Sequence, residues 1–322
     1  MVDYAAFYPG QGAQYPGMAL DLHAASAQVR QLFGIASEAC GRNLLQLLES
    51  GTPQDLQLTE NTQVAITLAN RAASIYLAHA GIKARTHAGF SLGELSALAG
   101  AGVLDDESLF RIIAERGKLM ARAGESASQR IGRLGMAAVI GLGFEEVRVL
   151  FANLGTKGLY CANDNGPKQV VLSGLADELE AVTEALKTAG ARRIIPLKVS
   201  GPFHTPFMAE AAAEFSEFIQ RFSFADPVSM VYSTVTGDVV PTGAEAKRLC
   251  SLQLESPVRW TTIMQRVAGT LEDGSRVLEV GPGKVLAGLW KSAGHTALCY
   301  PAGTAEDLKL VIEGEGQHGN GT

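Results

Sequence analysis

No stretch of about eighteen apolar residues runs free of both charge and glycine, so the sequence predicts no membrane span. The opening segment, MVDYAAFYPGQGAQ, lacks a positive patch followed by an apolar core, and no secretory leader is expected from it. A cytoplasmic protein is the expectation. Cysteine is scarce: Cys40, Cys161, Cys250 and Cys299 are far apart and lack metal-ligand spacing, which points to reduced, buried thiols and away from zinc sites. Basic excess is lacking as well. A net charge of −6 speaks against nucleic-acid binding, although a local basic patch can still meet an acidic partner. No internal repeat is present, and the 36 glycines fall at turns and element ends rather than in a period.

What remains is a chain of 322 residues, 47% hydrophobic and 19% charged, long enough for a large domain with an insertion. A strand is expected at 4–8, stopped by Pro9-Gly10. A buried, alanine-rich helix is expected at 61–80, closed by Gly81. A strand at 85–90 leads at once into a helix at 92–101, and a second helix runs over 106–123 with Asp105 or Asp106 as N-cap. Strand, turn and helix in alternation predict an α/β fold with a mainly parallel sheet.

The rhythm then changes. Strands at 134–142, 158–163, 169–173 and 193–199 and helices at 144–153 and 176–189 follow the order β-α-β-β-α-β, the split arrangement of a ferredoxin-like module. The expected organisation is a discontinuous large domain, 1–126 and 199–312, with a small ferredoxin-like subdomain inserted at 127–198. An amphipathic helix is expected at 208–222, with further strands at 229–233 and 276–280. The polar, glycine-rich segment 313–322 reads as a disordered tail.

The strongest chemical signal is Gly89-Phe90-Ser91-Leu92-Gly93. A serine between a strand and a helix sits on a tight turn, small residues on either side let that turn close, and the helix N-terminus aims its amides at the hydroxyl. Such a nucleophile needs a base. His204, on the proline-bracketed loop Gly201-Pro202-Phe203-His204-Thr205-Pro206, is a better candidate than a histidine on an apolar face. His23, His79, His295 and His318 carry no accompanying motif, and His87 reads as a packed strand residue.

Six blocks occur in order: Pro9-Gly10-Gln11-Gly12-Ala13-Gln14, Gly89 to Glu94, Arg116-Gly117, Gly201 to His204, Gln253 to Trp260, and Glu279 to Gly283. Together they resemble the malonyl-CoA:acyl carrier protein transacylase family, to which the trans-acting acyltransferases of polyketide synthases are similar. The resemblance implies a hydrolase-like α/β domain with a ferredoxin-like insertion, in accord with the segment order. It implies that Ser91 becomes acylated and that His204 is the general base, oriented by carbonyl groups at Gln253. The amides of Gln11 and Leu92 would form the oxyanion hole. Arg116 would clamp the malonyl carboxylate through paired, charge-assisted hydrogen bonds, and the bulky Phe203 would favour malonyl over a branched extender. Phe90 departs from the histidine that many members carry before the nucleophile; its side chain is expected to point away from the attacking oxygen.

The implied reaction is ping-pong transfer of malonyl from coenzyme A to a carrier-protein phosphopantetheine thiol, in fatty-acid or polyketide synthesis. Coenzyme A is then a substrate, and neither metal nor cofactor is implied. The partners are malonyl-CoA and an acidic acyl carrier protein, with Lys284, Lys291 and Arg259 as candidate contacts, and the expected state is a monomer. The alternatives are a thioester hydrolase of the same superfamily, an α/β-hydrolase esterase, and a docking subunit without activity.

Overall fold

The computed structural model describes residues 4–197, 201–272 and 274–314. Its strands are, in chain order, β1 Tyr4–Tyr8, β2 Ala84–Gly89, β3 Leu134–Ile140, β4 Leu159–Gly166, β5 Gln169–Leu175, β6 Arg193–Pro196, β7 Met230–Tyr232, β8 Arg276–Glu279 and β9 Cys299–Pro301. They form two sheets. One is parallel, in the order β7-β2-β1-β8-β9, and the other antiparallel, in the order β4-β5-β3-β6.

Central strand β1 is buried along its whole length because both faces of the parallel sheet are covered. Its period of two divides the run YAAFY between two cores. Tyr4, Ala6 and Tyr8 join the cluster that holds the helices Thr59–His79, Gly93–Gly100 and Asp106–Ile131. Ala5 and Phe7 face the other way, where Phe7 meets Trp260 and Trp290 edge-on with ring centroids 5.0 and 5.4 Å away. Among the described residues, no helix is long and apolar enough to cross a membrane.

The expected elements are present with shifted ends. The helix expected at 61–80 spans Thr59–His79, with Gly81 in the left-handed region just beyond it. The Asp105 carboxylate caps the next helix, accepting from the Ser108 N–H at 2.7 Å. That helix continues to Ile131 rather than ending near 123. Gly124, buried within it, lets the loop at Gly201 approach: a Cβ on Gly201 would lie 3.1 Å from the Gly124 Cα. Past Gly124 the helix is tied to the helix Ala209–Ile219 by Arg130, which donates to both carboxylate oxygens of Glu210. The helix expected at 208–222 is this shorter one, preceded by a single 3₁₀ turn, Pro206–Met208.

The antiparallel sheet has the strand order of the split βαβ arrangement and carries its own core, including Val139, Phe151, Leu172 and Leu186. Its β4–β5 hairpin is tighter than expected, because β4 continues to Gly166 and leaves only Pro167-Lys168 before β5 begins at Gln169. The expected helix 176–189 is broken at Val182 into Ala176–Ala181 and Thr183–Thr188. The described part of β6 ends at Pro196; the rest of the expected 193–199 strand reaches positions outside the described residues, as do His318 and most of 313–322. Strand β9 and several helices, among them Ala27–Cys40, Trp260–Ala268 and Val285–Ser292, were not expected from the sequence. Met136, Ala138 and Val171 of the small sheet face the large core, and the site opens between the two sheets.

Candidate active site

Ser91 follows β2 on a turn that only glycine-flanked backbone can close. A Cβ on Gly89 would sit 2.0 Å from Gly93 backbone atoms, one on Gly93 would sit 2.2 Å from the Tyr8 carbonyl, and one on Gly10 would sit 2.3 Å from the Phe90 carbonyl. The Phe90 N–H donates to that same Tyr8 carbonyl at 2.9 Å, holding the turn against the end of β1. Ser91 is thereby forced to a φ of 53°, a conformation that costs a non-glycine residue about 1–3 kcal/mol and that recurs at functional sites. The helix Gly93–Gly100 begins immediately after, so the Leu92 N–H lies at its positive end. Gln11 is on the turn after β1. Among the described residues, neither its N–H nor that of Leu92 has a protein acceptor, and both residues border the serine.

His204 also has a positive φ, 60°. Its loop is pinned by its own N–H to the Leu254 carbonyl at 3.0 Å and by the Thr205 hydroxyl to the Pro202 carbonyl at 2.6 Å. The Ser91 Oγ lies 2.8 Å from His204 Nε2, and Nδ1 lies 3.0 and 3.2 Å from the carbonyls of Gln253 and Ser256. Two acceptors facing Nδ1 assign the proton there, leaving Nε2 to accept from the serine. Burial, followed by the charge of Arg116, pushes the His204 pKa down to about 4, so the imidazole is neutral at pH 7.

Arg116 is fully buried beside the nucleophile. Burial lowers its pKa to about 10, which still leaves it charged. Nη1 donates to Gln63 Oε1 at 2.6 Å, while Nη2 donates to Gln253 Oε1 at 2.7 Å and to Ser91 Oγ at 3.3 Å. Its Nε–H has no partner among the described residues. A cavity of about 280 Å³ adjoins the site, bordered by Gln11, Ser91, Met120, Asn163, Asn165, Phe203 and His204. Most of its remaining wall is apolar. Phe203 is buried there. Phe90 packs edge-on against Trp260 with centroids 5.4 Å apart, and it also borders the same cavity as Ser91.

Comparison with known proteins agrees with this geometry. The family model of the acyl transferase domain matches residues 7–305. Malonyl CoA-acyl carrier protein transacylase of Bacillus subtilis is 34% identical over 318 residues, covering 97% of each chain. The Escherichia coli O157:H7 enzyme of that name is 34% identical over 316 residues, 96% of this chain and all of the relative. The chain belongs to the malonyl CoA-acyl carrier protein transacylases of the acyl transferase domain family.

Solved members of this family share the fold. The Xanthomonas oryzae malonyl-CoA:acyl carrier protein transacylase superposes with a TM-score of 0.89 at 33% identity, covering 98% of this chain and 99% of that one. A malonyl-transacylase in complex with its type II polyketide synthase acyl carrier protein gives a TM-score of 0.89 at 32% identity, covering 97% and 99%.

Gln11, Ser91, Leu92, Arg116, Phe203, His204 and Gln253 lie together here, and several further residues join them. Gln63 and Thr234 had carried no expectation, and Glu94 and Ser256 only a place in a motif. Gln63 had a signal: it is a polar residue inside the helix Thr59–His79, in a stretch whose neighbours are all buried. Of the other histidines, His87 lies behind the elbow, its Nδ1 3.0 Å from the Tyr8 hydroxyl, and burial pushes its pKa down to about 4. It packs and does not reach Ser91, as the sequence suggested.

Proposed function

We propose that this chain moves a malonyl group from coenzyme A to the phosphopantetheine thiol of an acyl carrier protein through an ester on Ser91. The Ser91 Oγ attacks the thioester carbonyl while its proton passes to His204 Nε2. The Nδ1–H, held by two backbone carbonyls, fixes the tautomer and stabilises the imidazolium, so no carboxylate is needed. The amides of Gln11 and Leu92 receive the tetrahedral oxyanion. Collapse expels the coenzyme A thiolate, which takes the proton from Nε2. The carrier thiol then repeats the sequence in reverse, yielding malonyl-carrier and free Ser91.

The observation that carries this reading is Arg116. A buried cation held by neutral glutamine carbonyls, with a spare Nε–H, is matched to an acyl chain ending in a carboxylate. An acetyl group would leave it unanswered, at a cost on the order of 2–5 kcal/mol. Phe203 narrows the wall where a 2-substituent would sit. Coenzyme A serves as a substrate, no cofactor takes part, and the product feeds fatty-acid or polyketide synthesis. Docking of the acidic carrier uses the rim near Lys284, which precedes the cavity-lining Val285, with Lys291 and Arg259 as further cations. The same reading treats the protein as a cytoplasmic monomer with an inserted unit at 127–198, a large domain made of 1–126 and 199–312, and a tail from 313.

A thioester hydrolase would share the dyad but discharge its ester to water. Incubating the malonylated enzyme with holo-carrier protein and following both products separates the two. Malonyl-carrier in large excess over malonate supports transfer; malonate formed equally fast with and without carrier overturns it.

A further inference from the structure

Beneath the catalytic dyad lies a carboxylate with no place in the steps above. Glu94, in the first turn of the helix Gly93–Gly100, is 2% exposed. The Thr234 N–H at 2.8 Å, the Thr234 hydroxyl at 2.5 Å and the Gln253 Nε2 at 2.9 Å all donate to its Oε2, and the Ser233 hydroxyl is a further partner of the carboxylate. The first three converge on that single oxygen, so the acceptor met by the Gln253 NH₂ is an atom that Thr234 holds in place. The second proton of the Gln253 NH₂ goes to the Ser91 carbonyl at 3.1 Å. With its nitrogen held on that side, the Gln253 amide can present only its oxygen to Arg116, 2.7 Å away.

Gln253 thus has two separable duties. Its main-chain carbonyl orients His204, and its side-chain carbonyl orients Arg116. The first is fixed by backbone; the second depends on which way an amide of nearly symmetric shape is turned. We propose that Glu94 is the positioning residue that sets this turn and so selects for a carboxylate-bearing acyl group. This rests on the reading of Arg116 as the malonyl clamp. In Glu94→Met, which keeps the length of the side chain and removes the oxygen, the Gln253 amide loses its acceptor and turns over. Its NH₂ then faces the guanidinium, and Arg116 swings from its position. His204 keeps its carbonyl, so chemistry on an acyl group without a carboxylate is spared.

The test measures kcat/KM for malonyl and acetyl transfer to holo-carrier protein in the wild type, Glu94→Met and Gln253→Leu, and in the double variant. Thermal melting of each checks folding. The ratio of malonyl to acetyl kcat/KM is expected to fall about tenfold in Glu94→Met, the scale of one hydrogen bond to a charged group. It should fall no further when Glu94→Met is added to Gln253→Leu. If Glu94→Met does not fold, Glu94→Asp, which withdraws the acceptor by one methylene, is expected to lower the ratio in the same way. An unchanged ratio, or further losses in the double variant, would overturn the positioning role. A wild type that carries neither acyl group would instead overturn the functional reading, so the two failures are distinct.

Discussion

Arg116 is charged, fully buried, and within hydrogen-bond reach only of neutral groups among the described residues: Gln63, Gln253 and the Ser91 hydroxyl. Burial lowers its pKa only to about 10, so it stays charged at neutral pH, and on the proposed reading an incoming carboxylate completes its shell. Replacing Arg116 with Ala is therefore expected to lower kcat/KM for malonyl transfer by about 10²- to 10³-fold, with acetyl transfer reduced far less. Steady-state kinetics with the two thioesters measure this. Equal losses for both would mean that Arg116 supports the fold of the site and does not read the acyl group.

Among the elements, the strand-turn-helix of Ser91 is the most sharply determined. Three glycines, two of them flanking the serine and one from the turn after β1, let three backbone segments meet at distances no Cβ tolerates. Gly93→Ala would drive a methyl group to 2.2 Å from the Tyr8 carbonyl, so the helix must back away from β1 and carry the Leu92 amide with it. The expected result is a loss of about 1–3 kcal/mol in stability and a loss of acylation larger than that stability change alone explains. Gly288, within the helix Val285–Ser292, has open space at its Cβ, and Gly288→Ala is the matched control, neutral or slightly stabilising in the same melting assay. These local devices are what the sequence shows best. The YAAFY run, the glycine-flanked serine and the β-α-β-β-α-β order each lie within one stretch of chain and obey local rules. The extension of the helix to Ile131 was hidden because Gly124 reads as an ending, while its reason is a loop some eighty positions later. The polar brace around Arg116 was hidden for the same reason. Gln63 and Gln253 are 53 and 137 residues away from it, and neither the apolar stretch around Gln63 nor the motif around Gln253 names Arg116 as the partner.

At the scale of the whole molecule, burial of the site has a consequence for stability. His204 and His87 both lie in the interior with pKa values pushed down to about 4, chiefly by burial and further by Arg116 and Arg71 respectively. Above the ordinary histidine value of about 6.5 both are neutral in the folded and unfolded chain and contribute no pH dependence. Between about 6.5 and 4 the unfolded chain takes up protons that the folded one refuses, so stability falls as pH falls through that window. Denaturant titrations at several pH values are expected to show this slope. His204→Asn should make it shallower than in the wild type, which separates the histidine from carboxylates titrating nearby. An identical slope in the variant would place the His204 pKa near its ordinary value and its ring in contact with water.

On the proposed reading a single hydroxyl, that of Ser91, carries the acyl group between two thiols. Intact-protein mass spectrometry after brief exposure to malonyl-CoA, followed by peptide mapping, tests that directly. The wild type is expected to gain one malonyl group, located on Ser91 and removed by holo-carrier protein, while Ser91→Ala gains none. A malonyl adduct of equal yield on Ser91→Ala, or one that carrier protein does not discharge, would contradict it.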